Sequence, residues 1–279
     1  MKILVRLLII IATIVLIGVI IVLVISYNSD PARQEVLETQ SFDVQIEDME
    51  ITVENARVDF VPSEDETARL VLSGNSDDFT LTTDLSGGRL IIQVEDRSQF
   101  FNFDFNRAYS LQVSVPENGL DSLTVESDNG TIQARDIKAA ELSLEANNGR
   151  INLQTVESET VNIETDNGAV DITEMEANMA VRSSNGRIIF SDVSGELQAR
   201  ANNGRIELST ETLDFPVDFE TNNGRIEIRT DNEPSNARIR ARVDNGSINV
   251  YGLENEESIF GDGEVLIQLE SNNGRIVVE

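Results

Sequence analysis

The 279-residue chain carries 50 Asp and Glu against 21 Lys and Arg, a formal charge of −29, and contains no Cys, His or Trp. Disulfides, thiol nucleophiles, thiolate or imidazole metal sites and histidine acid–base catalysis are excluded, because each needs an absent side chain. Carboxylates, arginines, hydroxyls, amides and two lysines remain for any chemistry.

In chain order, residues 1–6 read as a cytoplasmic stub and residues 7–25, "LLIIIATIVLIGVIIVLVI", as a transmembrane helix. At about 1.5 Å per residue the run spans roughly 28 Å, one hydrocarbon core. Lys2 and Arg6 precede it and the next basic residue is Arg33, so the amino terminus is expected in the cytoplasm and the remainder outside. A cleaved signal peptide is the competing reading, against which stand the length of the run and a poor small-x-small site near Ser26. All 50 acidic and 19 of the basic residues follow the apolar run, a net of −31. Such a body repels nucleic acid and bare anionic lipid. Residues 26–41, with Pro31 and few apolar side chains, read as a tether.

Residues 42–120 read as an irregular N-terminal β region, with alternation in "FDVQIEDMEITV" (42–53), "ARLVLSG" (68–74), "GRLIIQV" (88–94) and "LQVSVP" (111–116). Within it, "QFFNFDFNRAY" (99–109) concentrates Phe100, Phe101, Phe103, Phe105 and Tyr109. Two readings stand: a strand capping the open end of a core, or an exposed aromatic patch that meets a partner or a membrane surface.

From residue 121 to 279 an internal repeat takes over. Asn-Gly pairs end at Gly130, Gly149, Gly168, Gly186, Gly204, Gly224, Gly246 and Gly274, spaced 19, 19, 18, 18, 20, 22 and 28 apart, and "NNGRI" occurs four times. Seven and five residues before each glycine, and two and four after it, the side chain is apolar in all eight units, for example Leu142, Leu144, Ile151 and Leu153. Spacing of two marks a half-buried strand on each side of every glycine. Asn-Gly tolerates positive φ at both positions, so the pair is expected to make a tight turn. The residue three before each glycine, from Ser127 and Ala146 to Ser271, is small, as the inside of a bend requires.

Side-chain parity breaks at the Asn-Gly, again before an apolar residue seven after the glycine (Ile137, Val156, Met175, Val193), and once more before the next strand. Three direction changes per unit favour an all-β solenoid of 18–20-residue coils over the alternative, a two-sheet β-sandwich; a meander would leave one apolar face uncovered. The chain stops on a repeat strand, "GRIVVE", so an uncapped end open to end-to-end self-association is expected.

Arg follows the glycine in five units: Arg150, Arg187, Arg205, Arg225 and Arg275. Arg187, Arg205 and Arg225 fall in consecutive units and form a candidate row for phosphate or carboxylate groups of an envelope polymer; neutralisation of nearby Glu is the plainer reading. Where Thr131, Ala169 or Ser247 replaces Arg, Asp128, Asp166 or Asp244 stands two before the glycine, which predicts pairs between coils such as Asp128–Arg150 and Asp166–Arg187. The acids recur at exposed repeat positions and no calcium-loop motif is present, so no catalytic residue, metal or cofactor is expected.

A β-rich start followed by "LQVSVPENGLDSLTVESDNGTI" (111–132) and repeated N-G-x-I units resembles the bacterial "putative adhesin" domain of unknown function, the toast-rack-like β-strand-repeat family of envelope proteins. The resemblance covers about residues 42–279 and implies an extracytoplasmic repeat scaffold without catalytic residues; "GLENEESIFGDGE" (252–264) departs from its pattern. The function expected is a membrane-anchored, non-catalytic envelope scaffold that binds an envelope polysaccharide or another envelope protein, with a self-assembling scaffold or a glycan-active solenoid enzyme as alternatives.

Overall fold

The computed structural model describes residues 35–76, 78–96 and 109–279, so the apolar run at 7–25 lies outside the described residues. Eighteen strands form among those described, and no helix. The repeat begins earlier than its Asn-Gly signature: β2 (Asp48–Val53) and β3 (Ala56–Pro62) are two halves of one coil, joined at Asn55-Ala56. β8 (Leu120–Arg135) and β9 (Ala139–Gln154) each run through an Asn-Gly corner as one bent strand. β10 (Thr160–Thr165) with β11 (Ala169–Glu176), and β12 (Asn178–Ser183) with β13 (Arg187–Ser194), make the next two coils. β14 (Leu197–Thr210), β15 (Val217–Thr230), β16 (Ala237–Val250) and β18 (Val265–Val278) are again bent strands.

Successive coils pair in parallel, which a sandwich of hairpins would not do. Leu123, Val125 and Ile132 of β8 align with Leu142, Leu144 and Ile151 of β9, and the ladder passes through the corner itself, Gly130 opposite Gly149. The halves before the glycines form one sheet and the halves after them a second, with the apolar positions turned inward between the two. Of the 32 repeat positions that read as core, all but Ile248 are buried. At roughly 1.5–3 kcal/mol per large apolar side chain, this row supplies the main force holding coil on coil.

The corner between the sheets is not the tight positive-φ turn that Asn-Gly suggests. Among the repeat glycines only Gly246 departs from ordinary negative φ, and the others are required for space. A Cβ on Gly149 would lie 2.3 Å from the Gly130 carbonyl oxygen, on Gly186 1.8 Å from that of Gly168, and on Gly204 1.8 Å from that of Gly186. Each missing Cβ points at the coil before it. Ala56 is tolerated because it starts the column: its own carbonyl oxygen is what a Cβ on Gly130 would meet, at 1.8 Å.

The asparagines have a matching role. Asn129 Nδ2 donates to Asn55 Oδ1 at 2.9 Å, Asn148 to Asn129, Asn167 to Asn148, Asn185 to Asn167, Asn203 to Asn185, Asn223 to Asn203, Asn273 to Asn223 and Asn245 to Asn273, all at 2.9–3.1 Å. This ladder of nine asparagines and eight hydrogen bonds runs along the corner with every donor facing the same way, at roughly 0.5–1 kcal/mol per exposed bond. Under it lie the small residues three before each glycine, with Ser127, Thr165, Ser183, Thr221 and Ser271 buried.

The second direction change sits where parity breaks. Asp136, Thr155, Glu174 and Asp192, each six residues past a repeat glycine, have φ of 53–54°, and the residues after them, Ile137, Val156, Met175 and Val193, are buried. Thr is the worst suited of the four, since a branched Cβ crowds the left-handed conformation that Asn tolerates. Thr155→Asn is therefore expected to stabilise the fold by about 1 kcal/mol, seen as a higher urea midpoint at unchanged slope, whereas Asp192→Asn leaves the midpoint in place.

Both ends of the stack depart from chain order. At the first, β6 (Arg89–Asp96) and β7 (Tyr109–Val115) lie outside β2 and β3, although they follow them in sequence. β5 (Phe79–Ser86) and β4 (Ala68–Gly74) then cover β6 and β7 antiparallel. β1 (Glu35–Phe42) pairs with β4, so residues 35–41, expected in a tether, are strand: Leu37 packs against the core and Thr83 Oγ1 donates to Gln40 Oε1 at 2.7 Å. At the other end β18 pairs with β15 on one side and β16 on the other. "GRIVVE" thus lies inside the stack and is no open end. β16 is outermost, its first half covered antiparallel by β17 (Glu257–Ile259).

Candidate functional site

The parallel register turns every repeat position into a column about 4.8 Å per rung. The position after the glycine gives Arg57, Thr131, Arg150, Ala169, Arg187, Arg205, Arg225, Arg275 and Ser247, in that order. Because β18 enters between β15 and β16, Arg275 stacks directly on Arg225, and the three consecutive arginines expected from sequence become four. Arg150 stands apart, separated from Arg187 by Ala169. Arg57, which sequence reasoning missed, heads the column; "NARV" at 55–58 aligned with "NGRI" would have revealed it.

The arginines have acidic company in the next column. Arg205 Nη1 lies 3.0 Å from Glu207 Oε1, Arg225 Nε 3.0 Å from Glu227 Oε2, and Arg187 Nη2 3.9 Å from Asp171 Oδ1. Glu227 is 3% exposed and also meets Arg229, so one buried carboxylate serves two guanidinium groups. Arg275 faces Val277 at the equivalent position, and no ion pair to it is found among the described residues. The expected pairs Asp128–Arg150 and Asp166–Arg187 do not form: Asp128 accepts from Asn147 Nδ2 at 2.9 Å and Asp166 from Ser184 Oγ at 3.2 Å, because the residue on the adjoining rung is nearer than the diagonal arginine. Arg187 and Arg205 are half exposed, at 51% and 50% of the side chain. The result is a ridge of guanidinium forks about 15 Å long, estimated from the rung spacing, whose planar donors suit carboxylate or phosphate oxygens.

The aromatic candidates divide. Phe100, Phe101, Phe103 and Phe105 lie outside the described residues. Tyr109 is 4% exposed, packs on Phe79 with ring centroids 4.3 Å apart, and its hydroxyl accepts from Asn55 N at 3.3 Å. It belongs to the core beneath the first ladder rung and is not a contact residue. Gly130, Gly149, Gly168, Gly186, Gly204, Gly224, Gly246 and Gly274 are structural, but as close-approach positions against the neighbouring coil and not as the tight positive-φ turns expected. No group of three or more acidic side chains is placed to hold a metal ion among the described residues.

One carboxylate outside the column organises the far end. Partial burial pushes the Asp214 pKa up, but the N–H groups of Ser235 and Asn236 and the hydroxyls of Ser235 and Thr212 together hold it below the ordinary 3.8. Ser235 N and Oγ donate at 2.8 and 3.1 Å and Asn236 N at 3.3 Å, fixing the loop that carries the chain from β15 past the β18 rung to β16. A depressed folded-state pKa contributes stability above the unfolded value that is lost as pH falls through the folded one. Exchange protection of the Ser235 and Asn236 amides is expected to decline as pH drops below about 3.8, and Asp214→Asn to remove that dependence.

A parallel, two-sheet β-coil stack with an amide-laddered corner and a polar exterior defines the class as a repeat scaffold. The chain belongs to the Toastrack DUF4097 family, which matches residues 46–276. A crystal structure of a "putative adhesin" from Bacteroides fragilis NCTC 9343 superposes with a TM-score of 0.54 at 12% identity, over 87% of this chain and 96% of that one. "Putative adhesins" from Parabacteroides merdae ATCC 43184 and Parabacteroides distasonis ATCC 8503 reach 0.46 and 0.39, each at 10% identity, covering 87% and 88% of this chain and 95% and 98% of theirs. No curated protein sequence matches the chain.

Proposed function

We propose that the protein is a non-catalytic binding scaffold of the bacterial envelope, held at the membrane by residues 7–25 with the coil stack on the extracytoplasmic side. Its contact is the column Arg187, Arg205, Arg225 and Arg275, flanked by Arg150. It takes the carboxylate or phosphate groups of an envelope polysaccharide, or of another envelope protein. The observation that carries this reading is the stacking of four like charges on adjacent rungs. Like charges directly opposite destabilise a sheet; Asp171, Glu207 and Glu227 offset part of that cost, and an anion lying along the ridge offsets the remainder, most of all at Arg275. The adhesin name of the Bacteroides fragilis neighbour supports a scaffold role, as does the repeat-determined placement of the acids, of which Glu227 alone is buried among the described residues.

The test is binding of the purified protein to phosphate-bearing and carboxylate-bearing envelope polysaccharides. Replacing Arg187, Arg205, Arg225 and Arg275 together by Gln is expected to weaken binding about tenfold or more, with a flatter salt dependence. Unchanged affinity would sink the assignment of the ridge, and release of reducing sugar from any envelope glycan would sink the non-catalytic reading. Membrane placement is checked separately: deleting residues 7–25 is expected to free the chain from the membrane fraction.

A further inference from the structure

An asparagine followed by glycine is chemically labile in water. The glycine nitrogen gives up its proton and bonds to the side-chain Cγ; the Cγ–Nδ2 bond breaks and Nδ2 leaves as ammonia, which closes a five-membered imide. Water then opens the imide to aspartate, or to isoaspartate, whose main chain runs through Cβ and Cγ. Glycine permits the attack because it has no Cβ to crowd the ring. The chain holds nine such pairs, the eight of the repeat and Asn118-Gly119, which lies in a turn outside the ladder. Two conditions set the rate in a folded chain: the amide must be free to swing onto the glycine nitrogen, since the reacting atoms must reach a near-attack geometry, and water must reach that nitrogen.

The ladder denies both conditions to seven pairs. Its inner asparagines, Asn129 through Asn223 and then Asn273, each donate from Nδ2 to one neighbour and accept at Oδ1 from the other. Their glycines are half-buried, each with a coil on both sides. The two ends of the ladder differ from this and from each other. Asn55, at the first, is followed by Ala56, whose Cβ hinders ring closure. Asn245, at the last, is followed by Gly246. Its Nδ2 donates to Asn273 Oδ1 at 3.1 Å, and no donor reaches its own Oδ1 among the described residues. The antiparallel cover of β17 spans Arg238–Arg240, with one further bond from Ala241 N to Glu256 O at 2.8 Å, so no coil lies outside the last corner. Gly246 is the one repeat glycine that is exposed, and the one whose φ, at 156°, departs from the column.

We infer that Asn245 is a site of spontaneous covalent modification by water, and that the ladder confines the reaction to it among the repeat pairs. The product undoes the outer corner. A carboxylate at position 245 has no hydrogen to donate to Asn273 Oδ1, sets acceptor against acceptor, and adds a negative charge beside Asp244. Isoaspartate also lengthens the main chain by one carbon, so that Ser247 to Val250 no longer meet Arg275 to Val278 in register. The second half of β16 is held by β18 on one side and by no strand on the other, so the modified corner releases it. Release bares the edge of β18 that carries Arg275, the outermost rung of the arginine ridge, and turns a covered strand into an open one.

The test follows each pair separately. The full-length protein, isolated in detergent, is kept in warm, mildly alkaline buffer, sampled over weeks, cleaved and mapped by mass spectrometry. The peptide with Asn245 is expected to convert at least about tenfold faster than those with Asn148 or Asn203, whose amides must first leave two hydrogen bonds. In urea-unfolded protein the three are expected to convert at similar rates, which assigns the difference to the fold. Hydrogen exchange at residues 275–278 should quicken in step with the conversion. Freshly prepared Asn245→Asp should show that faster exchange from the start, and Asn245→Gln, which keeps the amide but closes a six-membered ring far more slowly, should keep the slow exchange throughout. Conversion of Asn245 no faster than that of Asn148 and Asn203 in the folded protein would overturn the site. Conversion with unchanged exchange at residues 275–278 would overturn its effect on the β18 edge.

Discussion

Gly204→Ala is expected to destabilise the protein by about 3 kcal/mol or more, at the upper end of what overpacking costs. The new methyl would lie 1.8 Å from the Gly186 carbonyl oxygen and 3.3 Å from the Gly186 nitrogen. Neither atom can yield, because Gly186 in turn stacks closely on Gly168 in the coil before, where an added Cβ would also find only 1.8 Å to the carbonyl oxygen. Relief requires two coils to separate, which stretches Asn203 to Asn185 and the core contacts of Ile206 with Ile188 together. The contrasting case is Gly246→Ala. Its methyl meets the Gly274 carbonyl oxygen at 1.7 Å, but the second half of β16 has no coil beyond it and can tilt outward; with the backbone strain that φ of 156° adds, a total loss of about 2 kcal/mol is expected, still below that of Gly204→Ala. Urea unfolding of the two variants reads the difference. Equal losses would mean that the glycine column is not what sets the coil spacing.

That contrast also shows what the sequence discloses and what it hides. Parity alone located the core and the second corner: the residues before Ile137, Val156, Met175 and Val193 are those with positive φ. The physical reason is that burial fixes which way each side chain points, and a flip in that pattern requires a backbone turn. The role of the repeat glycines was misread because the local preference of Asn-Gly concerns its own φ, whereas the constraint here comes from a carbonyl about twenty residues away in the chain. The column of arginines followed from the repeat spacing, but its fourth member did not. β16 and β18 carry the same apolar positions and the same Asn-Gly, so nothing within either segment orders them. The order rests on Asn272 finding Asn222 where Asp244 would otherwise stand, a pairing visible only once coils are stacked. Arg57 was hidden for a related reason, since Ala56 replaces the glycine at the one rung with no coil of the repeat before it.

Phe190→Ala is the second large effect, and it concerns how far the stack behaves as one body. Phe190 of β13 and Phe219 of β15 are both 0% exposed and belong to opposite sheets, with rings stacked 10° from parallel at 5.6 Å between centroids. They join the two sheets across the coil of β14, where Ala199 and Ala201 leave room for them. Truncating either removes a large side chain from the middle of the stack and leaves a cavity that the rigid ladders on both sheets prevent from closing, at about 3–5 kcal/mol. Part of that loss is the ring pair itself, about 0.5–1.5 kcal/mol. The double variant is therefore expected to cost less than the two single losses added, by roughly that amount. Because most contacts of a coil are with its neighbours, stability is approximately a sum of coil and interface terms, and a weak interface can divide the transition. Phe190→Ala is expected to lower the slope of urea unfolding as well as the midpoint, the coils before β12 outlasting those after it. A single transition with an unchanged slope would show instead that the amide ladder and the capped ends keep the whole stack cooperative despite the cavity.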